Sequence, residues 1–365
     1  MERLKALVVD DTIVYRKIVG DVLKSIPGVE VVGTANNGKI ALSKIASLKP
    51  DLVTLDIEMP EVNGIEVLQE LHKSPTPPVV IMLSTLTQQG SEMTIKALEL
   101  GAFDFVPKPD AGTMSENLLK VKQAIEPIVN TLKRKTLGFK TRPELFPRPL
   151  GKKIKKKHTI SVASRVQTPF RKTKSEIVGI GISTGGPNAL TRMIPLLPAD
   201  FKAPILIVQH MPPMFTASLA NSLNNKSKLE VKEAEDGDLV VPGKIFIAPG
   251  GKQMKIIAGQ DGISRKIKIT DDPPENSCKP SVDYLFRSIA QHYVGRSTGV
   301  IMTGMGSDGS KGLAQMKKNG SIVIAQDEAT CTVFGMPKQP TESGIADVIA
   351  PLDRMADEIV KTVIP

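Results

Sequence analysis

Two groups of residues in this 365-residue chain have the types and spacing that chemistry needs. The first is Asp10-Asp11, Asp56 and Lys108. Three carboxylates brought together repel one another and favour a hard cation, and Mg²⁺ with oxygen ligands and retained waters suits them. A carboxylate held beside Mg²⁺ and a lysine is a good phosphoryl acceptor, because the cations neutralise charge on the transferring oxygens. The second is Gly181-Ile182-Ser183-Thr184-Gly185-Gly186. It fits the G-x-S-x-G elbow, whose glycines let the chain turn sharply and expose a serine hydroxyl. The N-terminus of a following helix would offer free N–H groups to an oxyanion.

A serine nucleophile needs a base, and the chain has four histidines. His72 ends a helical stretch in the first third, His158 lies in a basic segment, and His292 falls within the helical spacing of Val282–Tyr293. His210 alone follows a strand-like run, Ile205–Gln209, at the end where such sheets gather catalytic groups. The acid that would hold the imidazole in its tautomer is best sought at Asp308, in the Gly-rich Thr303–Gly309 loop. Asp236, Asp271 and Asp272 are loop residues and weaker choices. The order Ser, His, Asp differs from the Ser, Asp, His of α/β-hydrolases, so a different fold with convergent chemistry is expected. A dinucleotide loop is a poorer reading, since Gly179–Thr184 misses the third glycine of G-x-G-x-x-G. A P-loop fails because Ser310, not lysine, follows Gly309. Cys278 and Cys331 lie outside any elbow and read as small buried residues.

These residues must be positioned by elements, and the apolar pattern supplies them. Leu7–Val9, Val29–Val32, Leu52–Leu55, Val79–Leu83 and Phe103–Val106 are short branched runs separated by helical spacing such as Ile40, Leu42, Ile45 and Leu48. Strands alternating with helices imply a parallel sheet covered on both faces. A second alternation starts at Ser175, with strands expected at Ile177–Ile182, Ile205–Val208, Lys244–Ala248, Gly299–Thr303 and Ile322–Ala325. Helices are expected at Pro187–Ile194, Val282–His292 and Gly309–Asn319, and antiparallel hairpins around Gly243–Ala248 and Ile256–Ile269. The fold class is therefore α/β: an N-terminal (βα)5 domain over 1–130 and a C-terminal doubly wound domain over 175–365. A basic, Pro-containing linker at 131–174 joins them.

The net charge of +10 invites a nucleic-acid partner, but it sits in one place. Lys133–Lys174 carries 15 Lys and Arg against one acidic residue, Glu144, so this stretch is +14 and the remainder −4. Such a run is either a solvated tether extended by self-repulsion or a docking arm for an acidic surface. No folded nucleic-acid reader accompanies it, so no nucleic-acid partner is expected. Two cysteines cannot build a disulfide framework, and no apolar run reaches the length of a membrane span. The first apolar run stops at Asp10 and reads as a strand rather than a signal peptide, so a cytoplasmic location is expected.

Asp10-Asp11, Asp56-Ile57-Glu58-Met59-Pro60, Gly64, Ser84, Phe105 and Lys108-Pro109 together resemble the receiver domain of two-component response regulators. The resemblance implies a flavodoxin-like receiver phosphorylated on Asp56, with Mg²⁺ held by Asp10, Asp11, Asp56 and the Glu58 carbonyl. It also implies Ser84 and Lys108 as partners of the phosphoryl group, Phe105 as an inward-swinging switch aromatic, and a cis Lys108–Pro109 bond.

Gly181–Pro187, Gln209–Pro212, Phe215-Thr216, Ser281–Phe286 and Thr303–Gly309 are similar to the catalytic domain of the chemotaxis protein-glutamate methylesterases over about residues 176–362. This implies a Ser183, His210, Asp308 triad with the N–H groups of Thr184 and Met305 as oxyanion donors. The implied substrates are glutamate γ-methyl esters, and possible glutamines, of methyl-accepting chemoreceptors, through which alone the protein would meet a membrane. The implied phosphodonor is the chemotaxis histidine kinase, Mg²⁺ serves the receiver, and the esterase needs no cofactor. The unphosphorylated receiver would cover the catalytic face. Gln253 stands where that family usually has histidine, so altered substrate contacts are expected there.

Overall fold

The computed structural model describes residues 3–138 and 174–363. Most of the basic linker expected at 131–174, with His158, lies outside the described residues.

The first domain runs β1 (Leu4–Val9), α1 (Ile13–Ser25), β2 (Val29–Ala35), α2 (Gly38–Leu48), β3 (Leu52–Asp56), α3 (Gly64–His72), β4 (Val79–Ser84), α4 (Gln88–Glu99), β5 (Asp104–Pro107) and α5 (Met114–Gly138). Its five strands pair in parallel in the order β2-β1-β3-β4-β5. Every residue of β3 is buried, as expected for a central strand covered by helices on both faces. The strand order reverses between β1 and β3, and a doubly wound sheet opens its ligand crevice beside such a reversal. The α5 helix continues to Gly138, past residue 130.

The second domain runs β6 (Ile177–Ile182), α6 (Gly186–Met193), β7 (Ile205–Gln209), α7 (Phe215–Asn224), β8 (Glu230–Glu233), β9 (Lys244–Ile247), β10 (Gln253–Ala258), β11 (Arg265–Thr270), α8 (Val282–His292), β12 (Ser297–Ile301), α9 (Ser310–Lys318), β13 (Ile322–Gln326), α10 (Lys338–Glu342), β14 (Val348–Ala350) and α11 (Met355–Val363). Seven strands form one parallel sheet, β14-β13-β12-β6-β7-β9-β8. The chain builds outward from β6 on one side, then returns to β12 on the other, so the reversal falls at β6.

The antiparallel hairpin expected around Ile256–Ile269 is β10–β11. The one expected at Gly243–Ala248 is absent: β9 instead pairs in parallel with both β7 and β8. Short apolar runs do not reveal strand direction, and the helix between β7 and β8 makes the parallel return possible.

Two glycines bring α8 unusually close to β6. A Cβ on Gly179 would sit 2.5 Å from Ile289 Cδ1, and one on Gly181 would sit 2.3 Å from Val282 Cγ1. The two domains meet along α4, which packs on α6 and α7. Ser91 and Ser218 share a buried hydrogen bond of 2.6 Å across this seam. Glu99 accepts from Ser222 and pairs with Lys226.

Candidate active site

In the first domain the strand ends converge as expected. Asp10, Asp11 and Asp56 bring carboxylate oxygens within 4.8 Å of one another. Lys108 Nζ lies 2.7 Å from Asp10 Oδ2 and 2.8 Å from Asp56 Oδ2. Burial raises the Asp56 pKa, Lys108 lowers it and Asp10 raises it again, leaving it at about 6. An all-oxygen, crowded donor set of this kind fits Mg²⁺. Glu58 turns its side chain to solvent two residues past Asp56, leaving its backbone as the group on offer.

Ser84 Oγ accepts a 2.6 Å hydrogen bond from Thr94 on α4. Phe105 does not point into its own domain: its ring lies 4.5 Å from that of Phe215 on α7. Among the described residues the cis bond is Lys279–Pro280, so Lys108–Pro109 is trans, contrary to expectation. In that geometry the Tyr15 hydroxyl bonds the Pro109 carbonyl.

In the second domain Ser183 follows β6, His210 follows β7 and Asp308 follows β12, all beside the reversal at β6. Gly185, at φ +78°, makes the turn from strand to helix. This left-handed conformation costs a residue without a Cβ little. Gly304 presses against Ser183, where an added Cβ would lie 2.8 Å from Ser183 Cβ, so the Met305 backbone stands next to the serine. Among the described residues, neither the Thr184 nor the Met305 N–H makes a backbone hydrogen bond.

His210 Nε2 bonds Asp308 Oδ2 at 2.8 Å. Asp308 is buried and accepts from Val282 N (2.7 Å), Asn276 Nδ2 (2.8 Å), Ser281 Oγ (2.9 Å), Gly309 N (3.1 Å) and Asp283 N (3.2 Å) as well. Burial pushes its pKa up, but His210 and these donors pull it down to about 2. Burial disfavours the His210 cation, yet the Asp308 bond, with a contribution from Cys278, lifts its pKa to about 9. With Nε2 facing Asp308, Nδ1 is the nitrogen left to accept a proton. Ser183 Oγ has no hydrogen bond to it among the described residues, and such bonds are often unformed before substrate binds.

The competing acids are occupied elsewhere. Asp236 pairs with Lys268, Asp271 with Lys252, and Asp272 with Tyr284, all on the exposed surface.

Two expectations need correction. Cys331 is buried, but Cys278 is partly exposed and its Sγ lies 3.8 Å from His210 Nδ1. The left-handed residues Asn276 and Ser277 (φ 52° and 62°) turn the chain back onto the site there. Gln253 is fully buried with the first domain in place, and its amide is engaged by the loop: it donates to Pro273 O and Cys278 O and accepts from Ser281 N. It fixes the loop that carries Cys278 and Ser281. Sequence reasoning missed Asn276 and Ser281 as partners of Asp308. Ser281 is readable only as a helix N-cap, a role it also fills by accepting from Tyr284 N.

The first domain roofs this site. Ser183, Thr184 and His210 face Leu98, Asp104 and Phe105 across a cavity of about 40 Å³. That volume holds a few waters but no ester-bearing side chain. Burial raises the Asp104 pKa to about 6, against the lowering pull of the Thr184 side chain and of the Phe105 N–H that bonds its carboxylate. Met305 and Val333 of the second domain pack on an apolar cluster of the first.

The CheB methylesterase family pattern matches residues 178–359, and the response regulator receiver domain pattern matches residues 6–119. A Desulfotalea psychrophila protein named protein-glutamate methylesterase/protein-glutamine glutaminase is 56% identical, covering 100% of this chain and 99% of its own. A Bacillus subtilis protein of the same name is 42% identical over 99% and 98% of the two chains. The crystal structure of the Thermotoga maritima CheB methylesterase catalytic domain matches 52% of this chain and 100% of its own at 43% identity, with a TM-score of 0.50. With a receiver sheet, a seven-stranded parallel catalytic sheet and full-length relatives of one name, the chain belongs to the protein-glutamate methylesterase/protein-glutamine glutaminase family.

Proposed function

We propose that the chain is a serine hydrolase of glutamate γ-methyl esters on chemoreceptor signalling helices, held in check by its receiver and released by phosphorylation of Asp56. The observation that carries this reading is the placement of Ser183 beside a His210–Asp308 pair, under a roof formed by Asp104 and Phe105.

Ser183 Oγ attacks the ester carbonyl while His210 Nδ1 takes its proton. Asp308 keeps Nε2 protonated and stabilises the imidazolium. The Thr184 and Met305 N–H groups face the developing oxyanion. Methanol leaves with the proton from His210, and water hydrolyses the acyl-enzyme by the reverse sequence. A glutamine amide follows the same path with ammonia as leaving group. The −4 balance outside the basic stretch and the absence, among the described residues, of any helix long and apolar enough to cross a membrane accord with a cytoplasmic enzyme that meets membranes only through receptors.

In the receiver, Asp10, Asp11, Asp56 and the Glu58 carbonyl would hold Mg²⁺, which neutralises phosphoryl charge when bound. Asp56 accepts the phosphoryl group from the chemotaxis histidine kinase, and Lys108 pairs with its oxygens. Ser84 must leave Thr94 to reach that group, and Thr94 lies on α4, the helix that docks the esterase. Phe105, free to turn inward once Ser84 moves, would give up its stack on Phe215.

The test is methanol release from methylated receptor by the full chain, with and without a small phosphodonor and Mg²⁺. Release that rises with the phosphodonor and vanishes in Ser183→Ala supports the reading. Release that persists in folded Ser183→Ala defeats the nucleophile, and release indifferent to phosphorylation defeats the regulation.

A further inference from the structure

The loop 276–281 puts a thiol where a catalytic histidine has its lone pair. Cys278 Sγ, His210 Nδ1 or Nε2 and an Asp308 oxygen all lie within 4.8 Å of one another. They are not equivalent, because Asp308 already accepts bonds from His210 and five other donors. The atoms left with lone pairs to give are His210 Nδ1 and Cys278 Sγ, 3.8 Å apart.

We propose that Cys278 Sγ and His210 Nδ1 chelate a soft divalent cation of the Zn²⁺ class, and that its binding silences the esterase. Zinc bonds of about 2.3 Å to sulfur and 2.0 Å to nitrogen at a tetrahedral angle set the two donors about 3.5 Å apart. Closing 3.8 Å to that distance takes a few tenths of an ångström. Asp308 on the far nitrogen completes the carboxylate–histidine–metal arrangement, which fixes the tautomer and makes Nδ1 a better donor. The thiol is held rather than loose: Gln253 bonds the Cys278 carbonyl, and Asn276 is anchored on Asp283 and Asp308. Cys278 and His210 are both partly exposed, so an ion can arrive with waters to fill its remaining positions.

Binding is a ligand exchange with no change of oxidation state. The thiol, and Nδ1 of His210 where the ring is an imidazolium, release their protons to solvent as the metal–sulfur and metal–nitrogen bonds form, and waters leave the ion. The all-oxygen cluster of Asp10, Asp11 and Asp56 selects Mg²⁺, so one chain sorts two cations by donor softness. The chelate stands on geometry alone. Its silencing effect rests on the proposed role of His210 as base, since the ion would occupy the lone pair that takes the Ser183 proton.

Co²⁺ is the probe, titrated into reduced full-length protein with the receiver saturated by Mg²⁺. A thiolate-to-cobalt charge-transfer band in the near ultraviolet is expected, bleached by Zn²⁺, retained in Cys331→Ser and lost in Cys278→Ser. Absence of the band, or its survival in Cys278→Ser, overturns the chelate whether or not the protein hydrolyses esters. In parallel, the Zn²⁺ concentration that halves each variant's own metal-free rate should rise at least tenfold in Cys278→Ala, and a chelator should restore the parent. A band accompanied by undiminished ester hydrolysis overturns the silencing and, with it, the assignment of His210 as the base.

Discussion

Replacing Glu99 with alanine tests whether the seam between the domains restrains the esterase. Glu99 ends α4, where its carboxylate pairs with Lys226 and accepts from Ser222. The Lys226 and Glu99 side chains are 36% and 21% exposed, so solvent screens the pair and it contributes at most about 1 kcal/mol. The hydrogen bond from Ser222 to a charged acceptor adds about 1.5 kcal/mol, part of which water returns to the freed groups. A net loss of about 1–2 kcal/mol would lower the docked-to-undocked ratio by about five- to thirtyfold. The basal methanol-release rate of the unphosphorylated chain should then rise by that factor, up to the rate of a 174–363 fragment. Glu70→Ala, which removes an exposed ion pair with Lys73 away from the seam, should change nothing. A folded Glu99→Ala chain with an unaltered basal rate would refute the reasoning. So would an equal rise in the fully phosphorylated chain, since that would place the effect in the chemistry rather than the docking.

Ser183→Ala should reduce turnover by about a thousandfold or more with circular dichroism unchanged, whereas His292→Ala, on the far end of α8, should do little. Asp56→Asn should retain no acid-labile phosphoryl group by mass spectrometry and should show only basal hydrolysis; full-stoichiometry phosphate elsewhere would sink the acceptor assignment. Asp104 supplies a pH dependence. Its pKa is raised by burial in the docked state, so docking binds its proton more tightly than undocking does. The stabilisation is fully present below the ordinary carboxylate pKa and is lost as pH rises through about 6. The ratio of full-chain to isolated-domain activity should therefore climb between about pH 4 and pH 6 and level off above, and Asp104→Asn should flatten it. A parent ratio that stays level across that range would count against the latch.

The parts that the sequence disclosed were those tied to backbone periodicity. Buried parallel strands are continuous apolar runs, and their carboxyl ends collect polar residues, so Asp10, Asp56, Ser183, His210 and Asp308 announced themselves by following such runs. Groups that act through a bend in a loop left no such mark. Asn276 reaches Asp308 only because two successive residues take left-handed conformations, and Cys278 faces His210 for the same reason. Gln253 looked like a substrate contact because it replaces a residue type, but its burial is set by how β10 packs beneath the 273–281 loop. The parallel direction of β9 was invisible because four residues carry no information about which neighbour they choose.

The α4 helix is shared by both sites, with its first turns bonded to Ser84 and its last residues to α6 and α7. Thermodynamic linkage makes such sharing symmetrical. If a phosphoryl group on Asp56 weakens docking by some factor, docking must weaken retention of that phosphoryl group by the same factor. The esterase domain is then an effector of its own receiver as much as a target. By the same linkage, a receptor helix that enters the catalytic cleft and displaces the roof would shift the equilibrium of Asp56 toward its phosphorylated form.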